Sequence, residues 1–220
     1  RCIVPKYYPA FIDVNERICV VIGGGSMGEE KAEKLLACGA MVRLISPTLN
    51  VELSELEKKG VIEWVPRNYQ QGDLEGVFIA ILTVTHDLDL NNQVSKEATE
   101  RNVPLNVVDV THLCTFIAPS VAIRGDVTIA TSTGGASPAL ARTFREKIES
   151  DCPCRLLEFA DLSNILSWAR GRVRENNWSI EPSFWQKCID VELVDLVQSG
   201  KEDFAKEKLI TRLEKGVSKR

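Results

Sequence analysis

At 220 residues, 44% apolar and 26% charged, the chain suits one large domain, or a medium domain with a smaller appendage, around a buried core. Its formal net charge of -4 gives no support to a general nucleic-acid role. No apolar run approaches about 20 residues, which excludes a transmembrane helix and leaves no membrane partner to expect.

Residues 18–22 are a short, β-branched apolar run of the kind buried on both faces of a parallel sheet. A glycine cluster follows, then a helix over 29–38 with Ala32, Leu35 and Leu36 at helical spacing and Gly39 placed to end it. Residues 41–46 read as the next strand, so strand, glycine turn, helix and strand form a βαβ unit. The alternation continues with a helix over 53–59, strands over 61–65 and 77–84, a helix over 90–101 and a strand over 105–110. This pattern predicts a Rossmann-type, doubly wound parallel sheet. Past residue 115 the rhythm changes. A strand is predicted over 128–133, and Ser137-Pro138 opens a helix reaching residue 150. Helices are predicted over 156–173, 182–197 and 201–215, with no strand beyond residue 154 and a boundary at Asp151-Cys152-Pro153. The expected organisation is therefore a Rossmann domain over 1–115, a short segment over 116–150 and a small all-helical domain over 151–220.

Seven cysteines, at positions 2, 19, 38, 114, 152, 154 and 188, are an odd number, and two of them fall in a predicted strand and helix. A disulfide framework is not expected. A reducing, cytoplasmic setting fits, as does the absence of a signal-peptide apolar region after Arg1-Cys2-Ile3-Val4-Pro5. Cys152-Pro-Cys154 has no second ligand pair at zinc-like spacing.

Three groups of residues carry chemistry. Gly23-Gly24-Gly25-Ser26-Met27-Gly28 matches G-x-G-x-x-G between a buried strand and a helix. Gly23 allows the tight turn, Gly25 the approach of a pyrophosphate, and Gly28 close helix packing. The helix N-terminus then offers unpaired N–H groups to the phosphates. The acidic residue that holds the ribose in many such folds is missing after the second strand. Ser46 and Thr48 stand there instead, and Arg43 inside the strand leaves NAD against NADP undecided by the motif. The expected cofactor set is Gly23 to Gly28, Ser46, Pro47 and Thr85. Asp109, at the end of the strand over 105–110, lies where open α/β sheets form their ligand crevice, with His112 nearby. A lone Asp after a strand also serves as a turn residue, and two histidines in the chain exclude a dense metal cage. A second glycine turn, Thr133-Gly134-Gly135-Ala136-Ser137, precedes a helix carrying Arg142. It serves either as an anion-binding turn or as an ordinary capped one. Residues 116–220 carry 16 basic against 15 acidic side chains, residues 1–115 only 11 against 16, so cations for an anionic ligand are expected in the second half.

In order and spacing, these segments resemble the siroheme synthase dehydrogenase family. The matching stretches are Tyr8-Pro9-Ala10-Phe11-Ile12-Asp13, Val21-Ile22-Gly23-Gly24-Gly25 with Lys31, Asn106-Val107-Val108-Asp109, Phe116-Ile117-Ala118-Pro119-Ser120, and Ser132-Thr133-Gly134-Gly135-Ala136-Ser137-Pro138-Ala139-Leu140-Ala141-Arg142. Departures are Thr111 where the family often has Pro, Thr133 where it commonly has Ser, and Gly28 where it often has Ala. The resemblance implies NAD as cofactor, precorrin-2 as substrate and sirohydrochlorin as product. It implies an intertwined homodimer formed through 116–150, and Asp109 as the acid–base residue. Substrate carboxylates would meet His112, Thr133, Gly134, Gly135, Ser137 and Arg142. Insertion of a ferrous or cobaltous ion, aided by Asp109 and His112, is a second activity within the family. No methyltransferase part follows residue 220, so the expectation is a dehydrogenase rather than the trifunctional form. The alternatives are an NAD-sensing module without catalysis, or a chelatase alone.

Overall fold

A computed structural model describes residues 7–150 and 155–218. The predicted boundary at Asp151-Cys152-Pro153, and Cys154 with it, lie outside the described residues. The chain divides into two compact units, one of residues 1–118 with 134–136, the other of 119–133 with 137–220.

The first unit is built on five parallel strands, β1 (Ile18–Ile22), β2 (Met41–Ile45), β3 (Ile62–Val65), β4 (Ile79–Leu82) and β5 (Leu105–Val107), in the order β3-β2-β1-β4-β5. Three helices connect them: α1 (Ser26–Ala37), α2 (Val51–Lys58) and α3 (Leu88–Arg101). Alternate strand residues serve opposite faces. Cys19, Val21, Val42, Leu44, Ile79 and Ile81 pack with Ala32 of α1 and Leu53 of α2. Val20, Ile22, Ile45, Ala80 and Leu82 pack with Val94 and Ala98 of α3. Helices on both faces make the sheet doubly wound, and explain why the central strands β1 and β4 are apolar throughout. The strand order reverses between β1 and β4, so the crevice for a ligand falls at their carboxyl ends.

Two boundaries differ from the sequence reading in ways that matter. α1 begins at Ser26, three residues before the predicted start, which places Ser26, Met27 and Gly28 in its first turn. β5 stops at Val107, not residue 110, because the chain turns there and the Val110 N–H donates to the Val107 carbonyl at 3.1 Å.

The second unit opens with an antiparallel hairpin, β6 (Ser120–Arg124) and β7 (Val127–Thr131), followed by α4 (Pro138–Glu149). β6 has no counterpart in the sequence reading, and β7 is shorter at its end than predicted. The helical part begins with a 3₁₀ segment, Leu156–Leu162, before α5 (Ser163–Glu175), where one helix was expected. The predicted helix over 182–197 is two helices, α6 (Pro182–Lys187) and α7 (Val191–Gln198), interrupted where Asp190 caps α7 by accepting from the Leu193 N–H at 3.1 Å. α8 (Glu202–Glu214) completes a core of Leu162, Ile165, Ala169, Leu193, Val194, Leu209 and Leu213. The part is not purely helical: β8 (Ser179–Ile180) pairs with β9 (Val217–Ser218), two residues each, too short for any periodic signal. Arg124 of the hairpin holds Asp161 of the 3₁₀ segment through two bonds of 2.9 and 2.6 Å.

Candidate active site

The glycine loop leaves β1 at its carboxyl end, and each glycine meets a different constraint. Gly23 has φ +122°, and a Cβ there would lie 2.3 Å from Thr83 Oγ1. A Cβ on Gly28 would lie 2.0 Å from the Gly23 carbonyl oxygen, so glycine there lets α1 press this closely onto the loop. One on Gly24 would meet the Thr48 carbonyl oxygen at 2.0 Å. At Gly25 it would meet nothing within 4 Å, so the space above this residue is open. Gly25 also caps α1 without a side chain. The first N–H groups of the helix therefore face an open position, with Ser26 and Met27 exposed beside it. This fits a dinucleotide pyrophosphate.

The neighbouring strand ends supply the flanks of that position. Ser46 is buried and donates its hydroxyl to the Thr48 carbonyl at 2.7 Å, while Trp64 Nε1 donates to the Ser46 carbonyl at 2.9 Å. Ser46 thus shapes the loop more than it offers a free hydroxyl, and Pro47 and Thr48 are the exposed residues there. Arg43 is not at the strand end: it pairs across the sheet with Glu63, Nε to Oε2 at 2.9 Å, in register with it. Thr85 is half-buried, and its carbonyl accepts from Asn91 Nδ2 at 3.0 Å. Asn91 is 1% exposed, and its Oδ1 has no hydrogen-bond partner.

Asp109 follows β5, on the same edge of the sheet as Gly23. Two strand spacings separate the ends of β1 and β5, about 10 Å. Asp109 is exposed and has φ +60°, the left-handed region that Asp tolerates better than most residues. The next residues form a 3₁₀ turn, Thr111–Leu113, with His112 exposed on it. The Gly134–Ala136 segment belongs to this unit, and a Cβ on Gly135 would lie 2.9 Å from Thr111 Cγ2. The second glycine turn therefore lies against the turn that carries His112. A surface hollow of about 390 Å³, lined by Ile18, Met41 and Ile62, sits at the opposite, amino-terminal edge of the sheet and has none of these groups.

The remaining predicted residues stand in the second unit. Thr133 Oγ1 accepts from the Ser137 N–H at 2.9 Å and donates to its carbonyl at 3.0 Å, and Ser137 Oγ accepts from the Leu140 N–H at 3.2 Å. Both hydroxyls close the turn and cap α4. Arg142 is well exposed and bound to Glu146, one helical turn away, at 2.7 Å. Among the described residues, no three His, Cys, Asp or Glu side chains gather as a metal site.

A parallel sheet in this order, with a glycine-lined turn and an open helix N-terminus at its switch point, defines a dinucleotide-binding protein of the Rossmann class. A family model described as "Putative NAD(P)-binding" matches residues 10–120, and one described as "Sirohaem biosynthesis protein central" matches residues 124–151. The chain belongs to this NAD(P)-binding family. Relatives include siroheme synthases of Thioalkalivibrio sulfidiphilus (36% identical over 216 residues, 97% of this chain and 43% of that one) and of Nitrosomonas eutropha (34% over 214 residues, 96% and 44%). The chain thus spans less than half the length of these relatives. A solved structure titled SirC, precorrin-2 dehydrogenase, covers 95% of this chain and 100% of its own with a TM-score of 0.67, a likeness of fold at 21% identity.

Proposed function

We propose that this chain oxidises precorrin-2 to sirohydrochlorin with NAD as hydride acceptor. The observation that carries the reading is the common sheet edge shared by the open glycine loop and Asp109, with His112 and Gly135 alongside. The relatives' names and the solved neighbour's title support the pathway and the substrate. The choice of NAD over NADP is supported by β2, whose one basic residue, Arg43, is paired with Glu63.

The Gly23–Gly28 loop would hold the dinucleotide by its pyrophosphate, and the cofactor would supply hydride-accepting chemistry. The chain's own residues do the rest. The α1 N-terminus holds the pyrophosphate. Asp109 takes the proton released as the ring system gains its double bond. His112 and the Gly134–Gly135 backbone hold the substrate carboxylates beside it, and Thr133 and Ser137 fix the shape of that turn. Arg142, also proposed for carboxylate binding, is engaged by Glu146.

The test is an anaerobic incubation with NAD and precorrin-2, read as NADH absorbance and the sirohydrochlorin spectrum appearing together. NAD bound with neither signal would make the chain a sensing module instead. Adding ferrous or cobaltous ion to the same mixture reads chelation, and metal insertion without NADH would make it a chelatase alone.

The segment 116–150 is proposed to pair with a second copy of the chain. A two-stranded sheet is marginal by itself. β6 leaves Ile123 66% exposed, and α4 buries only Ala141 while exposing Leu140 and Phe144 one turn apart. Light scattering should return twice the 24.5 kDa chain mass, and Phe144→Glu should reduce it to one chain. A wild-type monomer at micromolar concentration would refute the pairing.

A further inference from the structure

The β2–α2 loop ends in Asn50, whose polar groups reach three different elements. The Asn50 N–H donates to the Gly24 carbonyl at 2.9 Å. Its Oδ1 accepts from the Leu53 N–H at 2.9 Å and so caps α2. Its Nδ2 donates to Glu29 Oε2 on α1. One half-buried residue thereby joins the glycine loop through its backbone, and the first turn of the phosphate-facing helix and the start of the next helix through its side chain.

The partner of that third bond is what gives it consequence. Glu29 is the acidic residue in the first turn of α1. A helix N-terminus attracts any nearby anion, so the field that recruits a pyrophosphate also recruits this carboxylate. The two compete for the same N–H groups, and Gly25 has no side chain with which to occupy them. We propose that Asn50 is a positioning residue for the dinucleotide: it fixes Gly24 and holds the Glu29 carboxylate aside, leaving the helix N-terminus to the cofactor phosphates. This rests on the reading that the Gly23–Gly28 loop seats the dinucleotide.

Asn50→Asp separates positioning from simple stability. Aspartate keeps a cap oxygen for the Leu53 N–H and the same backbone N–H for Gly24. It loses the donor to Glu29 and sets a second carboxylate beside it. By calorimetry the variant should bind NAD roughly three- to tenfold more weakly than wild type, with its thermal midpoint nearly unchanged. The double variant Glu29→Gln with Asn50→Asp reverses the polarity of the bond, since the glutamine amide can donate to the new carboxylate. It should return the affinity to within about twofold of wild type. Wild-type affinity in Asn50→Asp, or a loss that the double variant does not restore, overturns the proposal. Wild-type protein that binds no NAD overturns the seating of the dinucleotide, and this proposal with it.

Discussion

Asp109→Asn should lower the turnover of precorrin-2 by about 10²–10⁴-fold while NAD binds as tightly as before, the range expected when a positioned proton acceptor is lost. Asparagine is the informative replacement because of the backbone. Asp109 sits at φ +60°, where Asn is at least as comfortable as Asp and alanine is not. Asp109→Ala would add backbone strain to the loss of the carboxylate, and the two effects would be confounded. The amide keeps the shape and the hydrogen-bonding capacity but cannot take a proton. Asp109 is exposed and has no part in either face of the sheet core, so stability should hardly change. Single-turnover NADH formation is the measurement. A variant as fast as wild type would remove Asp109 from the chemistry and leave His112 as the acid–base group to test.

Much of the first unit was legible because its strands are short, mostly apolar and bounded by turn residues. Ile18–Ile22 and Met41–Ile45 start where the sequence says they start. The glycine loop was legible for a related reason: Gly23 has a positive φ that favours glycine, and Gly28 lies close against the Gly23 carbonyl. What escaped were features with little periodicity. Ser120–Arg124 is partly buried on both sides and does not alternate cleanly, yet Gly125-Asp126 between two short strands is a hairpin signal that pairs it with Val127–Thr131. The break between α6 and α7 was marked by Asp190, a capping residue inside an otherwise continuous helical pattern. In the same way Asn50 before Val51 announced the start of α2. Its bond to Glu29 joins positions 21 apart, which no local pattern reveals.

Glu97→Ala should cost about 3–5 kcal/mol of stability at neutral pH, the scale on which a buried, hydrogen-bonded charge loses its network. Glu97 lies on α3 and is fully buried, a placement charged residues take only when paired. Its carboxylate accepts from Tyr69 Oη, from the Gly72 N–H at 2.9 Å and the Leu74 N–H at 3.3 Å, and from Arg101 Nε at 2.7 Å. It thereby holds the long connection between β3 and β4 against α3. Burial pushes the carboxyl pKa up, but the bonds from Tyr69, Gly72, Leu74 and Arg101 outweigh it and hold the group below the usual glutamate range. The sign of the pH dependence follows. A carboxyl whose pKa is lower folded than unfolded contributes fully above the unfolded value of about 4.3, and the contribution is lost as pH falls through the folded one. The stability gap between wild type and Glu97→Ala, from chemical denaturation, should therefore be widest at neutral pH and shrink on acidification below about pH 4. Glu97→Gln should fall between the two, since its amide keeps one acceptor oxygen, at a cost of about 1–3 kcal/mol. A gap that stays constant from neutral to acid pH would mean that packing, not the buried charge, accounts for the loss. The neutral phenol of Tyr69, its pKa raised by burial and by the Glu97 carboxylate, keeps its donor throughout this range, so the titration belongs to Glu97.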